Sequence, residues 1–180
     1  MSSTKKLEHL GGLTSKQFLK KYWQKMPLLI REAFDHPLLD MNLSQFIKLS
    51  NNPLCSTRLI TQRNGNYQVT YGPVSRKKIK LLPKAGWTIL IQGINLVCED
   101  ANDLFQHFNF IPRVRMDDIM VSYAAPGGSV GAHYDSYDVF LLQGSGARTW
   151  EVSRPKDLSL RENTDLKLLR NFRPDGVCNL

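Results

Sequence analysis

The sequence predicts an α+β protein with a sheet or barrel core, on three observations. Short amphipathic helical stretches punctuate the first half. An Asn-Gly pair at Asn64-Gly65 divides two strand-like runs, and beyond Arg113 the chain becomes dense in β-type segments. At 180 residues the chain is long enough for one domain with its own core.

The first helix is expected after Thr14-Ser-Lys-Gln17, which has the spacing of a capping box. Phe18, Leu19, Tyr22 and Trp23 follow on one helical face, and Pro27 is expected to end the helix. Leu28 to Arg31 reads as a short strand, and Ser44 to Ser50 as a second amphipathic helix through Phe46, Ile47 and Leu49. Arg58-Leu-Ile-Thr-Gln and Tyr67-Gln-Val-Thr-Tyr flank Asn64-Gly65, which supplies the two positive-φ residues of a type I′ turn. Trp87 to Gln92 fits another strand, and Glu99 to Phe108 a short helix closed by Pro112. Arg113 to Tyr123 reads as one strand and Ala125 to Gly131 as a glycine-rich loop. Tyr137 to Gln143 and Arg148 to Val152 are expected to form a hairpin around Ser145-Gly146.

Composition bounds the function. With 42% hydrophobic and 22% charged residues, the chain is that of an ordinary soluble globular protein. No apolar run approaches membrane-spanning length, and the polar start Met1-Ser-Ser-Thr-Lys-Lys shows no secretory signal. Cys55, Cys98 and Cys178 are odd in number and far apart, so they suggest reduced thiols in a cytoplasmic protein rather than a disulfide framework or a zinc knuckle. The net charge of +8 favours an acidic partner such as RNA or a ribosome. The run Arg76 to Lys80 nevertheless reads first as a solvated loop.

The residues that carry chemistry are His133 and Asp135, in Gly131-Ala-His-Tyr-Asp-Ser-Tyr-Asp138. On an extended segment, residues i and i+2 point to the same face, so an imidazole and a carboxylate at this spacing can bind one cation together. A 2-His-1-carboxylate set is the arrangement of non-haem Fe(II) oxygenases. Alone, the pair is also compatible with a surface His and Asp beside a flexible loop. If Ser145-Gly146 is a two-residue turn, Gln143 pairs with Arg148, and parity places Arg148 on the face of His133 and Asp135. There a guanidinium holds a dicarboxylate bidentately; a surface arginine is the other reading.

The stretch from Asp117 through Ser122, Ala125-Pro-Gly-Gly, His133-Tyr-Asp135 and Arg148 to Trp150 resembles bacterial ribosomal oxygenases of the JmjC/cupin-4 family, nearest to the type that hydroxylates an arginine of a large-subunit ribosomal protein. Trp23 to Arg31 resembles that family's opening helix and first strand, and Trp87 to Asn95 the strand before its metal region. The similarity runs from about residue 14 to about 155.

The resemblance implies an α+β fold in which an N-terminal region, residues 1–112, precedes the first part of a double-stranded β-helix of the cupin/JmjC jelly-roll type, residues 113–180. It implies an Fe(II)- and 2-oxoglutarate-dependent protein hydroxylase acting in the cytoplasm on a ribosomal protein, with no membrane partner and with RNA contact open. His133 and Asp135 fall at iron ligands and Arg148 at the partner of the 2-oxoglutarate carboxylate. Ser122 is a weaker candidate for the same pocket, and Tyr137 either faces the substrate side chain or packs as a core tyrosine.

The chain departs from the family in one respect: no histidine follows His133, where a second histidine ligand is expected. His9, His36 and His107 lie upstream without a context that completes the site, His107 reading as a surface residue of its helix. The expectation is therefore of a chain truncated before the last ligand and before the family's homodimerising region. An inactive fragment or a non-catalytic basic module for ribosomal protein or RNA stand as alternatives.

Overall fold

A computed structural model describes residues 6–35, 39, 41–154, 156–162 and 164–180. Strands β1 (Lys6–Leu7) and β2 (Leu13–Thr14) form a small antiparallel pair ahead of helix α1 (Ser15–Lys21). The capping box forms as expected: Thr14 accepts from the Gln17 amide, and Gln17 accepts from the Thr14 amide. The helix stops at Lys21, well before Pro27. Gln24 takes the left-handed conformation (φ 56°), and its N–H donates to Asp138 Oδ1 at 3.0 Å. Phe18 still contacts Tyr22 and Trp23, so the apolar face read from the sequence is retained.

Leu28 to Arg31 is not a strand. Among the described residues no neighbouring backbone pairs with it; instead the Arg31 side chain donates to the carbonyl of Asn179 at 2.9 Å. His36 lies outside the described residues. Helix α2 (Leu43–Ser50) begins at an Asn42–Gln45 capping box and buries Phe46.

Strands β3 (Ser56–Arg63) and β4 (Asn66–Tyr71) form the expected hairpin. Arg63 pairs with Asn66, and Asn64 and Gly65 have φ of 49° and 76°, the two left-handed residues a type I′ turn requires. The basic run forms a short helix, α3 (Arg76–Lys80), rather than a loop, because the Ser75 hydroxyl caps it by accepting from the Lys78 amide at 3.2 Å. Strand β5 (Trp87–Gln92) and helix α4 (Glu99–Leu104), extended by a 3₁₀ turn over Phe105–Phe108, follow as read.

Of the strand expected over Arg113 to Tyr123, only its end is one: β6 (Val121–Ala124). Arg113–Arg115 instead makes a 3₁₀ turn after Pro112, with the Arg113 guanidinium 3.7 Å from the centre of the Phe105 ring. Strands β7 (Thr149–Val152) and β8 (Gly176–Asn179) pair with each other.

Strands β4-β3-β5-β6 form one antiparallel sheet in that order. One face, through Leu59, Ile89, Ile91 and Tyr123, packs with Phe46, Val74 and Ile94 into the main core. By register the opposite face carries Tyr67, Ile60, Thr88 and Ala124, then Arg58, Leu90 and Ser122. Ile60, Thr88 and Leu90 are buried there too, so something covers that face. Part of the cover is the loop after β6, and this brings the candidate site onto the sheet.

Candidate metal centre

The chain leaves β6 with Ala125 N–H bonded to the Trp87 carbonyl and Pro126 accepting from the Gly86 amide. Gly128 then lies flat on β5: a Cβ there would stand 2.2 Å from the Trp87 carbonyl oxygen and 2.9 Å from Thr88 Oγ1. Only glycine allows so close an approach. Gly131 has φ +79° and nests between Leu168 and the Tyr67 ring.

Beyond Gly131 the backbone is held from the other side. His133 forms an isolated antiparallel bridge with Leu168, and the Leu169 amide donates to the Ala132 carbonyl at 2.8 Å. Leu168 and Leu169 are both buried. A second bridge, Leu160 with Leu169, backs the first, and Arg161 ties the segment to the hairpin tip through the Gly65 carbonyl. The residue bearing the imidazole is thus fixed by partners far away in sequence.

His133 Nδ1 lies 2.9 Å from the Gly131 carbonyl oxygen. A carbonyl only accepts, so that contact selects the tautomer with the proton on Nδ1 and leaves the Nε2 lone pair free. Nε2 faces Asp135 Oδ2 at 3.8 Å. Two lone-pair donors thus converge, both side chains partly open to solvent. Adjacent donors bound at about 2.1 Å to an octahedral cation stand about 3 Å apart, so the pair fits one metal ion after closing by less than about 1 Å. Orientation of a ligating histidine by a backbone carbonyl is the usual second partner of such a ligand. Among the described residues no third His, Cys, Asp or Glu joins the two.

The remaining expected residues are placed less directly. Ser122 is exposed on β6, opposite Leu90, on the sheet face that the glycine loop crosses. The expected hairpin of Tyr137–Gln143 with Arg148–Val152 does not form. Asp138 is drawn to the Gln24 amide, Phe140 packs among Phe18, Trp23 and Phe108, and Gln143 Nε2 donates to the Ser145 carbonyl. Arg148 pairs by both backbone groups with Leu180 instead of with Gln143, and its guanidinium lies 5.7 Å from the centre of the Trp150 ring. Arg148 is therefore not positioned by a pairing with Gln143, and its side chain is half-buried at the start of the β7–β8 ribbon.

Tyr137 is no core tyrosine, being 60% exposed. Partial desolvation raises its phenol pKa, and Asp135, Asp117 and Asp118 add to the shift while Arg58 opposes it. Arg58 itself donates to Gln92 Oε1 at 3.0 Å. The sequence alone did not point to Arg58 and Gln92, nor to Leu168 as the brace of His133. The apolar pair Leu168-Leu169 in a polar stretch was the one available signal. His107 is exposed, as expected, although it also meets Phe34 and His9 edge-on.

A family profile described as "JmjC domain" matches residues 103–176. Over 148 residues the chain is 40% identical to a probable ribosomal oxygenase of Haemophilus influenzae, covering 82% of this chain and 36% of that protein. Over 146 residues it is 33% identical to the ribosomal protein uL16 3-hydroxylase of Escherichia coli, covering 81% of this chain and 39% of that one. The X-ray structure of E. coli ycfD superposes with a TM-score of 0.85 at 30% identity, over 93% of this chain and 45% of that chain. YcfD in complex with cobalt and 2-oxoglutarate superposes at 0.80, with 30% identity over 93% of this chain and 43% of that chain. The chain thus spans little more than a third of the length of the curated relatives it matches.

Proposed function

We propose that this chain, whose residues 103–176 match the JmjC-domain family, forms the metal- and co-substrate-binding part of an Fe(II)- and 2-oxoglutarate-dependent oxygenase of that family that hydroxylates a side chain of a ribosomal protein. The observation that carries the reading is the convergence of His133 Nε2 and Asp135 Oδ2 with the imidazole tautomer already set by Gly131. We read residues 1–112 as the α+β region ahead of a double-stranded β-helix that begins within 113–180.

Each residue has a role on this reading. His133 and Asp135 hold two adjacent positions of the metal, and Gly131 keeps the Nε2 lone pair available to it. Arg148, at the mouth of the β7–β8 ribbon, binds the far carboxylate of 2-oxoglutarate as a bidentate partner. Ser122 hydrogen-bonds the same molecule from the sheet face. Tyr137 meets the substrate side chain, where an acidic surround of Asp117, Asp118 and Asp135 suits a cationic group. The relative named as a uL16 hydroxylase supports a ribosomal protein as substrate, and the JmjC resemblance supports an arginine as its target. A ribosomal substrate sets the site of action in the cytoplasm.

Bound Fe(II) supplies the oxidising chemistry, in which O₂ and 2-oxoglutarate become the substrate's new hydroxyl, succinate and CO₂. The protein holds the ligands, orients the co-substrate and limits water. The test is succinate formation by the full-length protein with Fe(II), 2-oxoglutarate, ascorbate and a ribosomal-protein substrate. Loss of succinate in both His133→Ala and Asp135→Ala is the expected result; turnover that survives either substitution overturns the assignment.

A further inference from the structure

We propose that the exposed basic face built by α3 and the turn after it, with Lys48 of α2 beside it, is an RNA-docking surface. It rests on neither His133 nor Asp135. Residues 41–98 contain eight lysines and arginines and no aspartate or glutamate, although an even spread of the chain's 16 acids would put about five there. Among the described residues the two side-chain ion pairs are His133–Asp135 and Arg170–Glu162, both outside that segment. Among the described residues, the cations of residues 41–98 therefore neutralise no carboxylate.

The fold gathers several of them. Ile79 and Leu82 turn inward against the main core. That leaves Lys77, Lys80, Leu81 and Lys84 on the outside, all exposed. Arg76 donates to Ser44 Oγ at 2.9 Å, which docks α3 on the first turn of α2. Lys48 is one turn beyond Ser44 on the same helical face and is also exposed.

This arrangement works against the local structure. Arg76 is the first residue of α3, where the helix dipole disfavours a cation, although the same dipole favours the lysines of the last turn. The pairs Lys77–Lys80 and Arg76–Lys80 put like charges at neighbouring helical positions. A positive surface whose like charges repel along its own helix, and which pairs with no carboxylate among the described residues, is suited to an external polyanion, whose phosphates and released counterions supply the binding energy. An anionic membrane is the weaker fit. A helix of five residues with one outward leucine offers too little apolar area to lie in an interface.

The experiment is fluorescence anisotropy of the full-length protein with a labelled single-stranded RNA of about 20 nucleotides and mixed sequence, from about 50 to about 200 mM salt. It compares K77E/K80E/K84E with K6E/K156E/K167E, a charge-matched reversal of exposed lysines elsewhere. We expect the α3 variant to bind at least about tenfold more weakly, with its salt slope reduced by about two, and the matched control to change by less than about threefold. The milder K77Q/K80Q/K84Q, checked for an unchanged melting temperature, should show the same loss in smaller degree. Equal losses in both reversal variants, or no RNA binding at about 50 mM salt, overturns the proposal. So does binding to vesicles of phosphatidylcholine with about 30% phosphatidylglycerol in place of RNA.

Discussion

His133 and Leu168 face each other across a single antiparallel bridge, so the proposed metal ligand is held in place by a buried leucine from a later segment. The Leu169 amide, bonded to the Ala132 carbonyl, closes the same link. Truncating the leucine should therefore act on both stability and metal affinity. Leu168→Ala is expected to cost about 2–5 kcal/mol of stability, in the range of buried leucine truncations. It should also weaken metal binding by severalfold at temperatures where the protein remains folded. Denaturant unfolding and metal titration of the same sample check the two effects separately. A stability loss with metal affinity untouched would show that the bridge does not position His133.

Gly131→Ala strains the same place by a different route. Its positive φ disfavours a side chain, and the added Cβ would stand 2.5 Å from Leu168 Cδ2 and 3.1 Å from the Tyr67 ring. Relief requires moving the residue whose carbonyl fixes His133 Nδ1. A loss of about 1–3 kcal/mol is expected, together with a metal site whose histidine tautomer is no longer set. Nitrogen-15 chemical shifts of the His133 ring report the tautomer directly: the proton on Nδ1 in the parent protein, a mixture in the variant.

His9 links stability to pH. Burial among Phe34 and Phe108 lowers its pKa below the ordinary 6.5; the neighbouring His107 backbone hydrogen bond raises it, and the His107 ring charge lowers it. Its Nε2 is buried without a hydrogen-bond partner among the described residues. The unfolded chain therefore binds a proton at this residue more readily than the folded one, and stability rises with pH through that interval. The contribution is fully present above pH 6.5 and falls away as the solution is acidified through 6.5 and below. Melting temperature from pH 8 to pH 5 should show this loss, reduced in His9→Gln, because a neutral side chain removes the proton uptake. An identical acid slope in both proteins contradicts the assignment.

Arg148 tests the proposed co-substrate site apart from the proposed metal ligands. Removing a charge-assisted bidentate partner costs about 1.5–3 kcal/mol, so Arg148→Ala should weaken 2-oxoglutarate binding by about 10- to 100-fold. Arg148→Lys should recover little, because an ammonium does not reproduce the planar fork. Calorimetric titration of 2-oxoglutarate into cobalt-loaded protein measures both, and cobalt affinity itself should stay within about threefold of the parent.

Local signals in the sequence were sufficient where the structure is local. The Thr14–Gln17 box, the Asn64-Gly65 turn and the strand Trp87–Gln92 depend on neighbouring residues, and each forms as read. The i, i+2 spacing of His133 and Asp135 likewise left their side chains near each other, because parity along three residues needs no distant information. The failures involve long-range partners. The Ser145-Gly146 hairpin competes with the pairing of β7 to β8 and with the burial of Phe140 in an aromatic cluster. Neither is visible in a window around the turn. Leu28–Arg31 has strand-like residues but pairs with no edge among the described residues, and Pro112 starts a 3₁₀ turn where apolar patterning suggested a strand. The brace on His133 from Leu168 belongs to the same class, since no periodicity couples residues so far apart.

The central claim is that His133 and Asp135 chelate one metal ion together, and a cobalt(II) titration by calorimetry measures it most directly. His133→Ala and Asp135→Ala should each weaken cobalt binding by at least about tenfold, and the double variant should lose little more than either single one, as expected for donors acting as a unit. Unchanged affinity in either single variant, or losses that simply add in the double variant, would contradict a shared site.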